Sequence, residues 1–116
     1  MAQHTITITG SDPDDNQPTR SRLTLSDGDK TVVEKEDVVT WIIDKDCPQI
    51  TSILIKDDNL HFDLFDPDPA PTTGTHWIGI VNSNHDRKGD EHYTISWSEG
   101  GKTFSFDPII QVNPKP

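Results

Sequence analysis

Isoleucine, valine and threonine recur at every second position along much of this chain. The pattern is clearest in HTITITG (4–10) and YTISW (93–97), and turns rich in Gly, Pro and Asp separate such segments. A period of two sends successive side chains to opposite faces, which is typical of a β-strand with one buried face. No segment has a helical period. We therefore predict roughly nine or ten strands in an all-β, antiparallel sandwich or barrel.

Two segments allow more specific predictions. VVTWII (38–43) is apolar on both faces, so we expect a central strand. DPDPAPTTGT (66–75) contains three prolines and one glycine, so we expect a long loop. We find no internal repeat or linker, and we predict one domain over 1–116 with a frayed tail at 113–116.

Charge and composition restrict the partners. The 116 residues carry a net charge of −10, and a surface of this sign repels phosphate backbones and anionic lipids. We therefore expect no nucleic acid and no membrane as partners. The charge is compatible with cation binding, with a basic protein partner or with a role in solubility alone. A protein partner is expected from the loops of the fold. Cys47 is the single cysteine, which excludes an internal disulfide. No export signal or membrane span is visible, so we expect a cytoplasmic protein or a mature exported chain.

Two longer stretches resemble a known family. VVEKEDVVTWIIDKDCPQI (32–50) is similar to the part of plastocyanin-like cupredoxins that reads valine, glycine–aspartate and then V-T-W. YTISWSEGGKTFSFDPIIQV (93–112) resembles the closing hairpin of the same family. This resemblance implies an antiparallel Greek-key β-sandwich of cupredoxin-like type.

The same resemblance implies that copper is not bound. The positions that the family gives to its ligands hold Gln49, Trp97, Gly100 and Ser105. A blue-copper centre needs one Cys thiolate and two imidazoles, usually with an axial Met. Cys47 lies in the early loop without the rest of this set, so we expect no cofactor.

A second region could bind a metal ion. His85, Asp86 and His92 flank a Lys–Gly turn, and a hairpin there could bring the two imidazoles together. The segment NSNHDRKGD is also typical of an exposed turn, and its own Arg and Lys would oppose a cation. These residues are therefore weak metal candidates.

No spacing of residues indicates an acid–base couple or an activated nucleophile, so we do not expect an enzyme. In the implied fold, the 44–49 loop and the 97–103 hairpin meet at one end. The binding residues expected there are Asp46, Cys47, Gln49, Trp97 and Glu99. We predict that Trp41 and Trp77 fill the core, and that Trp97 either fills the core or lines a shallow pocket. The leading hypothesis is a non-enzymatic binding or structural module, and the alternative is a metal-binding protein that uses surface His, Asp and Glu residues.

Overall fold

The computed structural model describes residues 2–57, 64–66, 68–73, 76–82 and 89–112. They form ten strands: β1 (Gln3–Asp12), β2 (Arg22–Leu25), β3 (Lys30–Val33), β4 (Val38–Ile43), β5 (Ser52–Asp57), β6 (Ala70–Thr73), β7 (His76–Ile80), β8 (Gly89–Glu99), β9 (Lys102–Phe106) and β10 (Ile109–Val112). The one helical element of these described residues is a 3-10 turn at Pro18–Arg20. In this described part, no helix has the length and apolar character that crossing a membrane requires. The all-β prediction is confirmed.

The strands form two five-stranded sheets. Sheet I has the order β2-β1-β4-β7-β6, and sheet II has the order β3-β10-β8-β5 with β9 pairing beside β10 along β8. Most neighbours are antiparallel, but β1 runs parallel to β4 and β3 runs parallel to β10. The prediction of purely antiparallel sheets is therefore wrong. After β2, the chain crosses into sheet II as β3 before it returns to sheet I as β4, and such a crossover brings β4 back in the direction of β1.

The two sheets pack face to face through one hydrophobic core. Trp41 of sheet I donates a hydrogen bond from its Nε1 to the Tyr93 hydroxyl of sheet II over 3.0 Å. Both residues are fully buried, and Phe65 lies edge-on to each of their rings. A hydrogen bond satisfies the indole N–H, which would otherwise be costly to bury.

Sequence periodicity and burial agree closely in the central strands. Along β4, buried and half-buried residues alternate, and the strand lies third of five in sheet I, as predicted for a strand with two apolar faces. Trp41 pairs directly with Trp77 of β7, and both are buried. The assignment of these two rings to the core is confirmed.

The structure corrects the prediction of a loop at 66–75, because Ala70–Thr73 forms β6. Pro71 cannot donate to a sheet ladder, and it is tolerated here because β6 lies at the edge of sheet I. β1 also continues beyond Gly10 to Asp12, since an irregularity between Ile8 and Gly10 shifts the register without ending the pairing with β2. The predicted frayed tail at 113–116 lies outside the described residues.

Candidate functional site

The connection between β4 and β5 is built from two consecutive tight turns. The Cys47 amide donates to the Asp44 carbonyl over 2.9 Å, and the Ile50 amide donates to the Cys47 carbonyl over 3.2 Å. Asp44 Oδ1 also accepts from the Asp46 amide, as aspartate commonly does at the start of a turn. Pro48 is the second residue of the later turn, a position that suits its fixed φ. The loop is therefore held by its own backbone.

The connection between β8 and β9 is a two-residue hairpin turn. Gly100 and Gly101 have φ angles of 60° and 77°, a left-handed conformation that glycine adopts at little cost. The Thr51 amide donates to the Ser98 carbonyl over 3.0 Å, next to the pairing of β5 with β8. The 44–50 loop and the 98–103 hairpin therefore lie at the same end of the sandwich.

A third segment, 13–17, completes this end. Asp14 Oδ1 accepts from the amides of Asn16 and Gln17, and the Asp14 amide donates to the buried hydroxyl of Ser21 over 2.8 Å. Lys102 of β9 forms an exposed ion pair with Asp15 over 3.3 Å. The sequence predicts a turn at the Asp-rich stretch DPDDN, but it does not place that turn at this end of the sandwich. We call the surface formed by 13–17, 44–50 and 98–103 the apex.

Glu99 joins the parts of the apex. Its Oε1 accepts one hydrogen bond from the Ser11 hydroxyl over 2.7 Å and another from Trp97 Nε1 over 3.2 Å. Gln49 Nε2 in turn donates to the Ser11 hydroxyl over 3.3 Å. Side chains from the end of β1, the 44–50 loop and the hairpin thus share one network. Such networks restrict the rotamers of all their members, so the apex is preorganised.

The aromatic and thiol groups expected at this end lie beneath its surface. Trp97 is 1% exposed and packs against Phe104, so its ring fills the core. Cys47 is 2% exposed. Burial raises the pKa of its thiol, and the nearby charges of Asp44, Asp46 and Glu99 raise it further. The thiol is therefore poorly suited to act as a nucleophile or a metal ligand.

The accessible part of the apex is polar and acidic. Its three segments contain five acids and two lysines. Asp46, Pro48 and Gln49 are exposed. A shallow depression of about 260 Å³ lies between the 13–17 segment and the hairpin. The residues that line the depression are Pro13, Asp15, Glu99, Gly100, Lys102 and Phe104. Of the five predicted binding residues, Asp46 and Gln49 are thus exposed, Glu99 is half-buried, and Cys47 and Trp97 support the surface from below.

The weak metal candidates are not brought to the apex. His85 and Asp86 lie outside the described residues. His92 is exposed on β8, where it pairs with Ile109, and it is seven residues along the strand from Glu99, roughly 23 Å away. Within the ranges that the structure describes, no group of three or more His, Cys, Asp or Glu residues is arranged to hold a metal ion.

Two comparisons with known proteins find no relative of this chain. No protein-family model matches the sequence, and a search of curated proteins finds no significant match. The functional argument therefore depends on the geometry of this chain.

Proposed function

We propose that the chain is a non-enzymatic binding or structural module, built on a Greek-key, cupredoxin-like sandwich without copper, and that its apex contacts a protein partner. The observation that carries this proposal is the network around Glu99, which fixes loops from distant parts of the sequence into one surface. A preorganised surface loses little conformational entropy on binding, so more of the contact energy appears as affinity.

The side chains at the positions implied for copper ligands support the copper-free part of the proposal. Trp97 fills the core, Gly100 has no side chain, and the Gln49 amide takes part in the apex network. The hairpin segment 97–105 contains neither Cys nor His. Since a blue-copper centre requires both residue types, this hairpin lacks the ligands for one.

The composition of the apex supports a protein as the partner. Loops carried by a rigid sandwich are common binding elements because their exposed positions vary without disturbing the core. The acids of the apex are suited to a partner surface that presents lysine or arginine. The apex therefore resembles the charged rim of a protein interface more than a pocket for a small molecule.

Positive charge introduced at exposed positions tests this proposal. The apex variant combines Asp46→Arg with Gln49→Arg. A matched control combines Gln3→Arg with Asp90→Arg, which makes the same change in net charge at the opposite end. All four side chains are exposed, and the ion pair of Asp90 with Lys30 is a surface pair that contributes little stability.

Each protein is immobilised and used to capture partners from an extract of the native host, after circular dichroism shows that its fold is intact. We expect the wild type and the control to retain the same partner and the apex variant to lose it. A third variant, His85→Ala with His92→Ala, examines the region of the weak metal candidates. If the apex variant captures the partner normally while the control or the histidine variant does not, the binding surface lies elsewhere.

A further inference from the structure

A buried carboxylate lies at the opposite end of the sandwich from the apex. Asp37, in the turn between β3 and β4, is 2% exposed and is the one carboxylate among the buried residues that the structure describes. Its Oδ1 accepts from the Ala2 amide over 2.9 Å. Its Oδ2 accepts from the Glu34 amide over 2.9 Å and from His4 Nε2 over 2.8 Å. Three donors therefore converge on one side chain.

These donors come from two segments that are far apart in sequence. Ala2 immediately precedes β1 and His4 lies at the start of its pairing with β4, whereas Glu34 belongs to the turn itself. Parallel pairing of β1 with β4 begins at this point, with Gln3 opposite Val38 and the Val38 amide donating to the Ala2 carbonyl. Asp37 thus fastens the first residues of β1 to the 34–37 turn.

The backbone of the turn is strained at one residue. Glu36 has a φ of 71°, which is unfavourable for a residue with a side chain. Three backbone hydrogen bonds brace the turn. The Glu36 amide donates to the Val81 carbonyl, the Val81 amide donates to the Asp37 carbonyl, and the Asp37 amide donates to the Glu34 carbonyl. The carboxylate of Asp37 adds the bonds to Ala2, His4 and Glu34.

The charge of Asp37 is what makes the arrangement favourable. Burial raises the pKa of Asp37, but the hydrogen bonds from Ala2, Glu34 and His4, together with the charge of His4, outweigh it and hold the pKa below its ordinary value of 3.8. His4 is the ionisable group that β1 presents, the turn itself carries Glu34, Lys35 and Glu36, and Val81 contributes backbone atoms. Because the pKa of Asp37 is lower in the folded than in the unfolded state, ionised Asp37 stabilises the fold at pH values above the unfolded-state pKa. This stabilisation is lost as pH falls through the folded-state pKa.

We propose that Asp37 is an acid-sensitive latch, whose ionised carboxylate holds the start of β1 on the 34–37 turn and whose neutralisation releases both segments together while the two sheets stay packed. The rest of the core does not depend on this carboxylate, because the contact between Trp41 and Tyr93 joins the sheets independently. Release makes the edge of β4 that pairs with residues 3–5 accessible to solvent.

Hydrogen exchange of backbone amides, measured by NMR at neutral pH, tests the latch. The variant is Asp37→Asn, in which the side chain keeps one acceptor oxygen but turns an NH2 group toward at least one of the three donors. The control is Asp44→Asn, which alters another turn aspartate at the apex. We expect exchange at residues 2–5 and 34–38 to rise roughly tenfold or more in Asp37→Asn, with the amides of Trp41 and Ile95 unchanged.

A pH series on the wild type provides the second arm, and it applies even if the variant does not fold. Once corrected for intrinsic exchange rates, protection of the same two segments should fall together below pH 3.8 while the Trp41 and Ile95 amides remain protected. The proposal is wrong if the two segments and the core lose protection together. It is also wrong if exchange in the segments rises no more in Asp37→Asn than in the control.

Discussion

Replacing Glu99 with alanine is the most direct test of the apex network. In the wild type, Glu99 Oε1 accepts from the Ser11 hydroxyl over 2.7 Å and from Trp97 Nε1 over 3.2 Å. Trp97 is 1% exposed, so in Glu99→Ala its N–H loses its acceptor in a place that water reaches poorly. A hydrogen bond to a charged acceptor contributes about 1.5–3 kcal/mol, and solvent near the half-buried Glu99 reduces the loss to about 1–2 kcal/mol. At about 4 °C per kcal/mol for a chain of this size, Tm should fall by roughly 4–8 °C.

Thermal unfolding followed by circular dichroism measures this change. Glu99→Gln is the matched control because its amide oxygen can still accept from the indole, so we expect Tm to fall by less than half as much. Ser11→Ala removes the other donor and leaves the bond to Trp97 in place, and it should also have the smaller effect. If the alanine and glutamine variants melt at the same temperature, the acceptor on Glu99 does not stabilise the apex and the reasoning is refuted.

Three other predictions concern the core and the thiol. Tyr93→Phe removes the acceptor of the Trp41 indole between two fully buried rings, and urea denaturation should show a loss of about 1–3 kcal/mol. Gly79→Ala places a Cβ 3.2 Å from Phe65 and 3.3 Å from Trp41, and the same assay should show a loss of about 1–3 kcal/mol from overpacking. Cys47 is buried with a raised pKa, so mass spectrometry should show that iodoacetamide alkylates it far more slowly in the folded than in the denatured protein.

Periodicity predicted the strands well but predicted their partners poorly. Alternation along β4 and β8 is a local property of the sequence, and it was sufficient to assign Trp41 and Tyr93 to strands. The parallel pairing of β1 with β4 depends on how the chain crosses between sheets after β2, which no local pattern records. β6 was missed because proline usually argues against a strand, and only its place at a sheet edge makes Pro71 acceptable.

The proximity of two segments was predicted, but the side-chain contacts around them were not. The resemblance to cupredoxins placed the 44–49 loop beside the 97–103 hairpin, and contacts between Thr51 and Ser98 bring these segments together. The link from Ser11 to Glu99 could not be predicted, because the two residues are 88 positions apart and no local pattern connects them. The burial of Trp97 was one of two open possibilities, since a ring at the end of a strand can point into the core or line a pocket.

The apex separates residues that hold the loop from residues that a partner can contact. In the 44–50 loop, the side chains of Cys47 and Ile50 are buried, whereas those of Asp46, Pro48 and Gln49 are exposed. Substitutions at the exposed positions therefore change the surface with little effect on the core. The one side-chain bond that they remove is the exposed bond from Gln49 to Ser11, so a loss of binding there reports the apex surface and not the core. Glu99 differs because it both lines the depression and satisfies a buried indole. A Glu99 variant loses both a surface contact and a stabilising hydrogen bond, so a loss of binding in it has two causes. The comparison that locates the interface therefore has to be made at Asp46 and Gln49.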